Sequence, residues 1–294
     1  MPRVRTDVLE VAAGELGDPA GPVVVLVHGW PDAARGWHPV AQRLAAAGWR
    51  VLTPDTRGTG ATSFLDPGTV RDGSGPALVQ DTLDLVDALG IRRFAVVGHD
   101  WGARVAYALG ALEPERVRAI TALALPYQPR GAFAVPSFAL ARPVWYQWLM
   151  YVDAGVEAIR ADPVGFAREQ WDTWSPPGWF DEAEFAATAA QFGPDWVAVT
   201  LNAYRSRFLA DEPRDGRYDG LRGRLAAAER VAVPTLVVQG GADACDPPAA
   251  SAGQHGWFDS YRRVVLDGVG HFPHREAPDR VADLVLGHLV AHVG

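Results

Sequence analysis

The stretch that decides the fold is residues 93–112, which read RFAVVGHDWGARVAYALGAL. Its first residues are an apolar run typical of a buried strand, and its second half has the pattern of a helix. Between them Gly98 and Gly102 flank Asp100. Glycines at a strand-to-helix turn remove the Cβ atoms that would obstruct a sharp bend, so one polar side chain can project from it. This pattern predicts a nucleophile at the turn, and the residue there is Asp100.

Short apolar runs bounded by Gly and Pro alternate with longer amphipathic stretches along much of the chain. This alternation indicates βαβ units around a mostly parallel, buried sheet. The predicted fold class is therefore α/β, with a twisted sheet flanked by helices. The predicted strands are Val23–Val27, Arg50–Thr53, Arg93–Val97, Ala119–Leu125, Pro234–Gln239 and Arg262–Leu266, and the predicted helices include Leu78–Leu89, Trp101–Leu112 and Ala277–Val293.

The alternation stops after Leu125 and resumes near Val233, which predicts a helical insertion. We expect residues 1–127 and 230–294 to form the two parts of the α/β core and residues 128–229 to form a helical cap. Ligands of open α/β sheets bind over the carboxyl ends of the strands, where such a cap would lie. An independent helical domain with its own core would explain the insertion's tryptophans about as well. These are Trp145, Trp148, Trp171, Trp174, Trp179 and Trp196.

Composition excludes several classes of function. The chain of 294 residues has a net charge of −8, which gives no basic footprint for nucleic acid. All 27 basic residues are arginine, so a lysine Schiff base and a lysine-containing phosphate loop are excluded. The single cysteine, Cys245, suits a reducing compartment, and we expect a cytoplasmic protein. The apolar runs are shorter than the roughly 20 residues of a membrane-spanning helix, so no membrane span is expected.

An aspartate at the turn selects the class of reaction. A carboxylate that attacks an ester carbonyl gives a labile anhydride, whereas attack on saturated carbon gives an alkyl ester that water can hydrolyse. Suitable substrates carry an epoxide oxygen or a halide on that carbon. The alternative is that Asp100 only caps the helix that follows it. A serine-type esterase is excluded, because Asp100 stands where its hydroxyl would be.

The elbow motif resembles that of the α/β-hydrolase fold and, within it, that of the epoxide hydrolases. The stretch His28-Gly29-Trp30-Pro31 matches the family's His-Gly-x-Pro motif. The resemblance implies an oxyanion hole formed by the backbone N–H groups of Trp30 and Trp101. It also implies a cis peptide bond before Pro31. The remaining motif residues, which support these groups, are His28, Gly29, Gly98, His99 and Gly102.

The same resemblance extends into the insertion. Tyr146-Gln147 and Leu201-Asn202-Ala203-Tyr204-Arg205 match the two cap motifs in which tyrosines donate to the epoxide oxygen. The chemistry needs such acids, because an alkoxide is a poor leaving group unless it is protonated as the C–O bond breaks. The alternative for either tyrosine alone is a packing role.

The base and its orienting acid are expected late in the chain. His271 follows the last predicted strand in the family's Gly-His pattern, and Asp243 lies in a Gly-x-x-Asp-x-x-x-Pro pattern after the preceding strand. A buried carboxylate bonded to one imidazole nitrogen fixes the tautomer of the ring. His274 is the competitor for the base and is expected at the surface or behind the site. Asp246 is the alternative acid, expected to be a solvated loop carboxylate, and Cys245 is expected to be a small apolar filler.

The resulting hypothesis is an epoxide hydrolase that uses Asp100, His271, Asp243, Tyr146 and Tyr204. Its expected substrates are a small apolar epoxide and water, with no cofactor or metal, in a monomer or homodimer. One alternative is a dehalogenase with the same nucleophile. The motif typical of haloalkane dehalogenases is His-Gly-Asn-Pro, and this chain has Trp30 in place of the Asn. The pattern typical of fluoroacetate dehalogenases has Arg directly after the nucleophile, where this chain has Trp101, although Arg104 matches their second Arg. Another alternative is a non-hydrolytic member of the fold that only binds a ligand.

Overall fold

The computed structural model describes residues 3–133, 135 and 137–293. The strands of the described residues are β1 Arg3–Arg5, β2 Leu9–Leu16, β3 Val23–Val27, β4 Arg50–Pro54, β5 Ser63–Phe64, β6 Phe94–His99, β7 Val117–Leu123, β8 Thr235–Gly240 and β9 Tyr261–Leu266. Their helices are α1 His38–Ala46, α2 Gly75–Ala88, α3 Trp101–Leu112, α4 Phe138–Ala141, α5 Trp145–Met150, α6 Asp153–Ala161, α7 Pro163–Trp174, α8 Glu182–Ala189, α9 Trp196–Arg205, α10 Asp219–Ala227, α11 Pro273–Glu276 and α12 Pro278–Val293. Among these helices, none combines the length and the apolarity needed to cross a bilayer.

The strands form one sheet in the order β1-β2-β4-β3-β6-β7-β8-β9, with β5 paired to β2. All neighbours from β4 to β9 are parallel, whereas β2 is antiparallel to β1, β4 and β5. The predicted fold class is therefore confirmed, and the six predicted strands form with ends shifted by at most two residues. The sequence reading missed β1, β2 and β5, because a half-exposed strand such as Leu9–Leu16, with Gly14 and two glutamates, lacks the uninterrupted apolar run of a buried strand.

Alternate residues of the central strands pack against opposite layers of helices. In β3, Val24 and Leu26 belong to the apolar cluster that includes α1 and α12. Val25 and Val27 belong to the cluster that includes α2, α3 and the cap. Because successive side chains of a strand point to opposite faces, a strand covered on both faces is apolar throughout. This burial fixes the carboxyl ends of the strands, where the predicted site residues lie.

The chain between β7 and β8 is the predicted cap region. Its described residues contain helices α4 to α10 and no strand of the sheet. Residues 134 and 136 of the predicted cap lie outside the described residues. The helical character agrees with the sequence reading, while the exact boundaries at residues 127/128 and 229/230 stay a prediction. The cap joins the large cluster that covers the α2 and α3 face, so the insertion shares a core with the sheet.

Candidate active site

Asp100 lies at the sharp turn between β6 and α3. Its backbone has φ 50° and ψ −111°, a conformation that costs energy for a residue with a side chain. A Cβ atom on Gly98 would lie 1.9 Å from the carbonyl oxygen of Gly102, and a Cβ atom on Gly102 would lie 2.0 Å from that of Val27. Only glycine fits at these two positions. The Asp100 side chain makes no capping hydrogen bond to α3, so it does not act as a helix cap.

The loop after β3 presents a hydrogen-bond donor to the Asp100 carboxylate. The backbone N–H of Trp30 donates to Asp100 Oδ1 at 2.8 Å. A Cβ atom on Gly29 would lie 2.4 Å from the Asp100 Cβ, which explains the glycine at that position. The peptide bond between Trp30 and Pro31 is cis, as predicted. The His28 ring bonds through Nδ1 to the Gly29 carbonyl at 2.9 Å, so His28 braces the loop from behind.

His271 lies between two carboxylates. Its Nδ1 bonds to Asp243 Oδ2 at 2.9 Å, and its Nε2 lies 3.9 Å from Asp100 Oδ2. Burial disfavours the charged ring, but the charges of Asp243, Asp100 and Asp246 outweigh burial and raise the pKa of His271 to about 9. Within the described residues Nε2 makes no hydrogen bond. This nitrogen is therefore available to a water molecule beside Asp100.

The loop after β8 holds Asp243 and also brings two further polar groups to the site. Asp243 Oδ1 accepts hydrogen bonds from the backbone N–H groups of Cys245 and Asp246, both at 2.9 Å. The expectation that Asp246 is a solvated loop carboxylate is wrong. Asp246 is half-buried near His271, and burial together with Asp243 raises the pKa of Asp246 to about 7. Cys245 is buried as expected, yet its Sγ also lies 3.8 Å from the Tyr146 hydroxyl.

A cap residue fixes the backbone of the His271 loop. Ser175, directly after α7, accepts a hydrogen bond from the His271 backbone N–H at 2.8 Å. Its hydroxyl donates to Glu276 Oε1 at 2.7 Å, and Glu276 Oε2 accepts from the Gly270 N–H at 2.6 Å. The sequence reading missed Ser175 and Glu276, because neither belongs to a motif. Their partnership is visible only once α7 and α11 meet.

A buried polar network lies beneath the base. His274, expected at the surface or behind the site, is fully buried and bonds through Nε2 to Asp32 Oδ2 at 2.9 Å. Arg275 donates to Asp32 Oδ1 at 2.5 Å, and it holds the pKa of Asp32 well below its usual range against the opposing effect of burial. His99 Nε2 donates to the His271 carbonyl at 2.8 Å. Asp32, His99 and His274 lie close enough together to be considered as metal ligands. Because the guanidinium of Arg275 already neutralises Asp32, the site favours the Asp32–Arg275 ion pair over a bound cation.

The two predicted acids come together in the cap. Tyr146 on α5 and Tyr204 on α9 are both buried, and their ring centroids lie 5.6 Å apart. Tyr146 accepts a hydrogen bond from Gln147 Nε2 at 3.0 Å, and Tyr204 accepts one from Trp101 Nε1 at 3.2 Å. Burial, with the nearby charge of Asp100, raises the pKa of each phenol. Each hydroxyl therefore keeps its proton and can donate it to a further acceptor.

An aromatic shell surrounds these groups. The Trp30 ring packs within 6.3 Å, centroid to centroid, of Tyr146, Tyr204, Trp101 and Trp196. Two further cap rings, those of Trp174 and Phe166, lie 5.8 Å from it, and Trp174 also lies 4.8 Å from the His271 ring. Trp174 and Trp196 are thus the cap tryptophans next to the site. The shell lowers the local polarity, which strengthens hydrogen bonds and charge interactions inside it.

The sheet order and the elbow define a fold class that comparison with known families confirms. A family model described as the alpha/beta hydrolase fold matches residues 22–278 of this chain. A crystal structure of epoxide hydrolase A from Mycobacterium thermoresistibile superposes with a TM-score of 0.80 at 27% identity, covering 99% of this chain and 98% of that one. A Klebsiella pneumoniae protein, assigned only provisionally to the epoxide hydrolases, superposes with a TM-score of 0.91 at 33% identity, covering 98% and 96%.

Curated relatives narrow the family further. An epoxide hydrolase of Caballeronia sordidicola is 36% identical over 92% of this chain and 88% of that protein. Epoxide hydrolase A of Mycobacterium tuberculosis is 29% identical over 97% of this chain and 96% of that protein. The chain belongs to the α/β-hydrolase family and, within it, to the epoxide hydrolases. The resemblance inferred from the sequence motifs is therefore confirmed, while the roles of the individual residues stay predictions.

Proposed function

We propose that this chain opens epoxides to vicinal diols through a covalent ester on Asp100. The arrangement around the Asp100 carboxylate carries the proposal. One of its oxygens accepts a hydrogen bond from the Trp30 N–H, and the other lies 3.9 Å from His271 Nε2. Its negative charge also contributes to the raised pKa of the two buried tyrosines. The relatives named epoxide hydrolases support the same activity. The aromatic shell favours an apolar group around the epoxide.

The first step uses the two oxygens of Asp100 differently. Oδ1 accepts from the Trp30 N–H, so Oδ2 is the oxygen free to attack the less hindered epoxide carbon. The new C–O bond forms as the epoxide C–O bond breaks, and a proton from Tyr146 or Tyr204 neutralises the alkoxide. Oδ1 then becomes the carbonyl oxygen of the ester. It is already bonded to the donor that would stabilise the next intermediate, with the Trp101 N–H as the proposed second donor.

The second step needs His271 as a neutral base. Loss of the Asp100 charge on ester formation removes one of the influences that raise the pKa of His271, so the ring gives up its proton more readily. The proton that His271 loses returns to the tyrosine that protonated the alkoxide. His271 then takes a proton from water, which attacks the ester carbonyl carbon, while Asp243 stabilises the imidazolium that forms. The intermediate then collapses as the bond between its central carbon and the substrate-bound Asp100 oxygen breaks, and that oxygen takes the proton of the newly added hydroxyl. The diol leaves with one oxygen from the epoxide and one from Asp100, whose carboxylate regains its oxygen from water, and His271 is protonated again as at the start.

Parallel turnover tests the proposal. An aryl epoxide, an alkyl epoxide, a bromoalkane and fluoroacetate are supplied separately, and diol or halide is measured, with Asp100→Ala as the blank. We expect diol alone, lost in the blank by at least about four orders of magnitude. In His271→Gln, the intact protein should gain the mass of one epoxide, because the ester forms but is not hydrolysed.

Other outcomes would favour the alternatives. Halide release without diol would identify a dehalogenase and reduce Tyr146 and Tyr204 to packing residues. Stoichiometric binding of an epoxide, without a diol and without an ester in His271→Gln, would identify a non-hydrolytic binder. A homodimer or monomer remains our expectation for the assembly, and sedimentation of the purified chain would distinguish the two.

A further inference from the structure

A cavity of about 300 Å³ lies beside the site, between the start of α2, helix α3 and the cap. Trp101, which follows the proposed nucleophile, and Ala203, which precedes Tyr204, both line it. Its described lining contains no carboxylate side chain. It does contain five arginines, which are Arg104, Arg130, Arg207, Arg214 and Arg222.

These arginines differ in how their charge is balanced. Arg222 is paired with Asp72 at 2.5 Å and with Asp219 at 2.7 Å. Within the described residues Arg104 and Arg207 form no ion pair. Arg104 Nε is buried there without a hydrogen-bond partner, and few buried donors in folded proteins remain so.

Among the described residues, Arg207 donates hydrogen bonds only to neutral acceptors. Its Nε donates to the Ala203 carbonyl at 3.1 Å, and its Nη1 donates to Gln147 Oε1 at 3.2 Å. Its partial burial and the like charge of Arg104 lower the pKa of Arg207 to about 10. An anion between the two guanidinium groups would offset both the cost of burying the Arg207 charge and its repulsion by Arg104.

Aromatic rings hold the two guanidinium groups in place. The Arg207 Cζ lies 4.3 Å and the Arg104 Cζ 5.1 Å from the centroid of the Phe133 ring. The Arg207 Cζ also lies 4.2 Å from the centroid of Tyr204, one of the proposed acids. Arginines fixed on aromatic faces lose little conformational freedom when they bind a ligand. The cavity therefore holds a preorganised pair of cations one aromatic ring away from the reacting groups.

The α2 helix adds to the positive potential. Ser74, Gly75 and Pro76 line the cavity at the first turn of this 14-residue helix. The positive end of a helix dipole favours an anion there. The arginines supply most of the positive charge at the cavity, and the helix end adds to it.

We infer that this cavity binds the carboxylate of the substrate, so that the epoxide opened at Asp100 belongs to an epoxy acid. Arg104 and Arg207 bind the carboxylate, and the apolar part of the molecule extends past Trp101 and Tyr204 to the nucleophile. The inference rests on the proposed function and refines it. The apolar epoxide predicted from the sequence becomes an apolar chain with one anionic end.

The test compares an epoxy acid with its primary amide, which has nearly the same size and shape but no negative charge and only one acceptor oxygen. In the unaltered enzyme we expect kcat/KM for the acid to exceed that for the amide at least about tenfold. The ratio should fall at least about tenfold, to near one, in Arg104→Gln and in Arg207→Gln, as expected when a charged hydrogen bond is lost. Arg104→Lys should recover part of it. The control is Arg230→Gln, since Arg230 is exposed, pairs with Asp259 and does not line the cavity.

Calorimetry with the saturated acid of the same chain length separates this inference from the proposed function. The acid carries no epoxide, so its binding does not depend on turnover, and we expect binding that Arg104→Gln weakens and Arg230→Gln does not. Equal turnover of acid and amide would overturn the carboxylate site and leave the hydrolase intact. Arginine-dependent binding of the saturated acid with no diol from any epoxide would overturn the hydrolase and leave the anion site.

Discussion

The core side and the cap side of the site are built differently. On the core side, backbone geometry positions the groups: Asp100 stands on a turn that Gly98 and Gly102 permit, and the Trp30 N–H reaches its carboxylate directly. On the cap side, side chains position side chains. Tyr204 is held by the indole of Trp101, and Tyr146 by its neighbour Gln147.

The difference matches the division of the proposed reaction. The core supplies the nucleophile, the base and the oxyanion donors, which the hydrolysis of any alkyl ester requires. The cap supplies the acids and Arg207, and together with Arg104 of α3 it forms the arginine cavity. These groups decide what kind of substrate forms the ester. In this proposal the core performs the common chemistry, and the cap, with Arg104 of α3, selects the substrate.

The largest expected change in activity comes from substituting Tyr146 and Tyr204, which tests whether the cap takes part in the chemistry. In Tyr146→Phe/Tyr204→Phe we expect kcat to fall roughly 10²- to 10⁴-fold, because no acid protonates the alkoxide. Added to His271→Gln, the double substitution should slow formation of the ester detected by intact mass by a similar factor. Tyr261→Phe is the matched control, since the hydroxyl of this half-buried tyrosine on β9 has the Ser251 carbonyl as its only hydrogen-bond partner among the described residues.

The opposite result would break the comparison. An ester that forms at the unaltered rate without both phenols would mean that the cap acts only as a cover. The core would then perform both half-reactions by itself.

The sequence predicts the core side of the site better than the cap side. The elbow and the six core strands were predictable, because Gly98, Gly102 and uninterrupted apolar runs are local signals. Tyr146 and Tyr204 were found only through their resemblance to family motifs. Ser175 and Asp32 had no signal, since their partners His271 and His274 lie 96 and 242 residues away in sequence. Of the two expected places for His274, the structure shows the one behind the site. Asp246 was misplaced, because a sequence does not reveal which polar side chains a fold will bury with partners.

A second prediction, of intermediate size, concerns the core alone. Asp100 is one of the charges that raise the pKa of His271 to about 9, so His271 in the free enzyme should stay protonated up to that pH. In Asp100→Ala the pKa should fall, because burial then opposes one charge fewer. NMR titration of the imidazole measures both values.

Asp259→Ala is the control for this titration, since Asp259 lies on the surface in an ion pair with Arg230. An unchanged His271 pKa in Asp100→Ala would show that ester formation does not help to deprotonate the base. The order of events proposed for the core would then need a different source of deprotonation.

The smallest effect is expected at Ser175. This cap residue accepts a hydrogen bond from the backbone of the core base His271 and so connects the two sides of the site. Ser175→Ala leaves the buried His271 N–H without its acceptor, which should lower the free energy of unfolding by about 1–3 kcal/mol. Because His271 also loses a constraint on its position, we expect kcat to fall several-fold with KM little changed. Urea unfolding and steady-state kinetics measure the two effects. Thr173→Ala is the control, since in the part of the chain that the structure describes the Thr173 hydroxyl bonds only to the Glu169 carbonyl, on the exposed side of α7. A loss of stability with unchanged kcat would mean that the cap braces the loop without aiming the base. The two halves of the site would then be linked in structure but independent in chemistry.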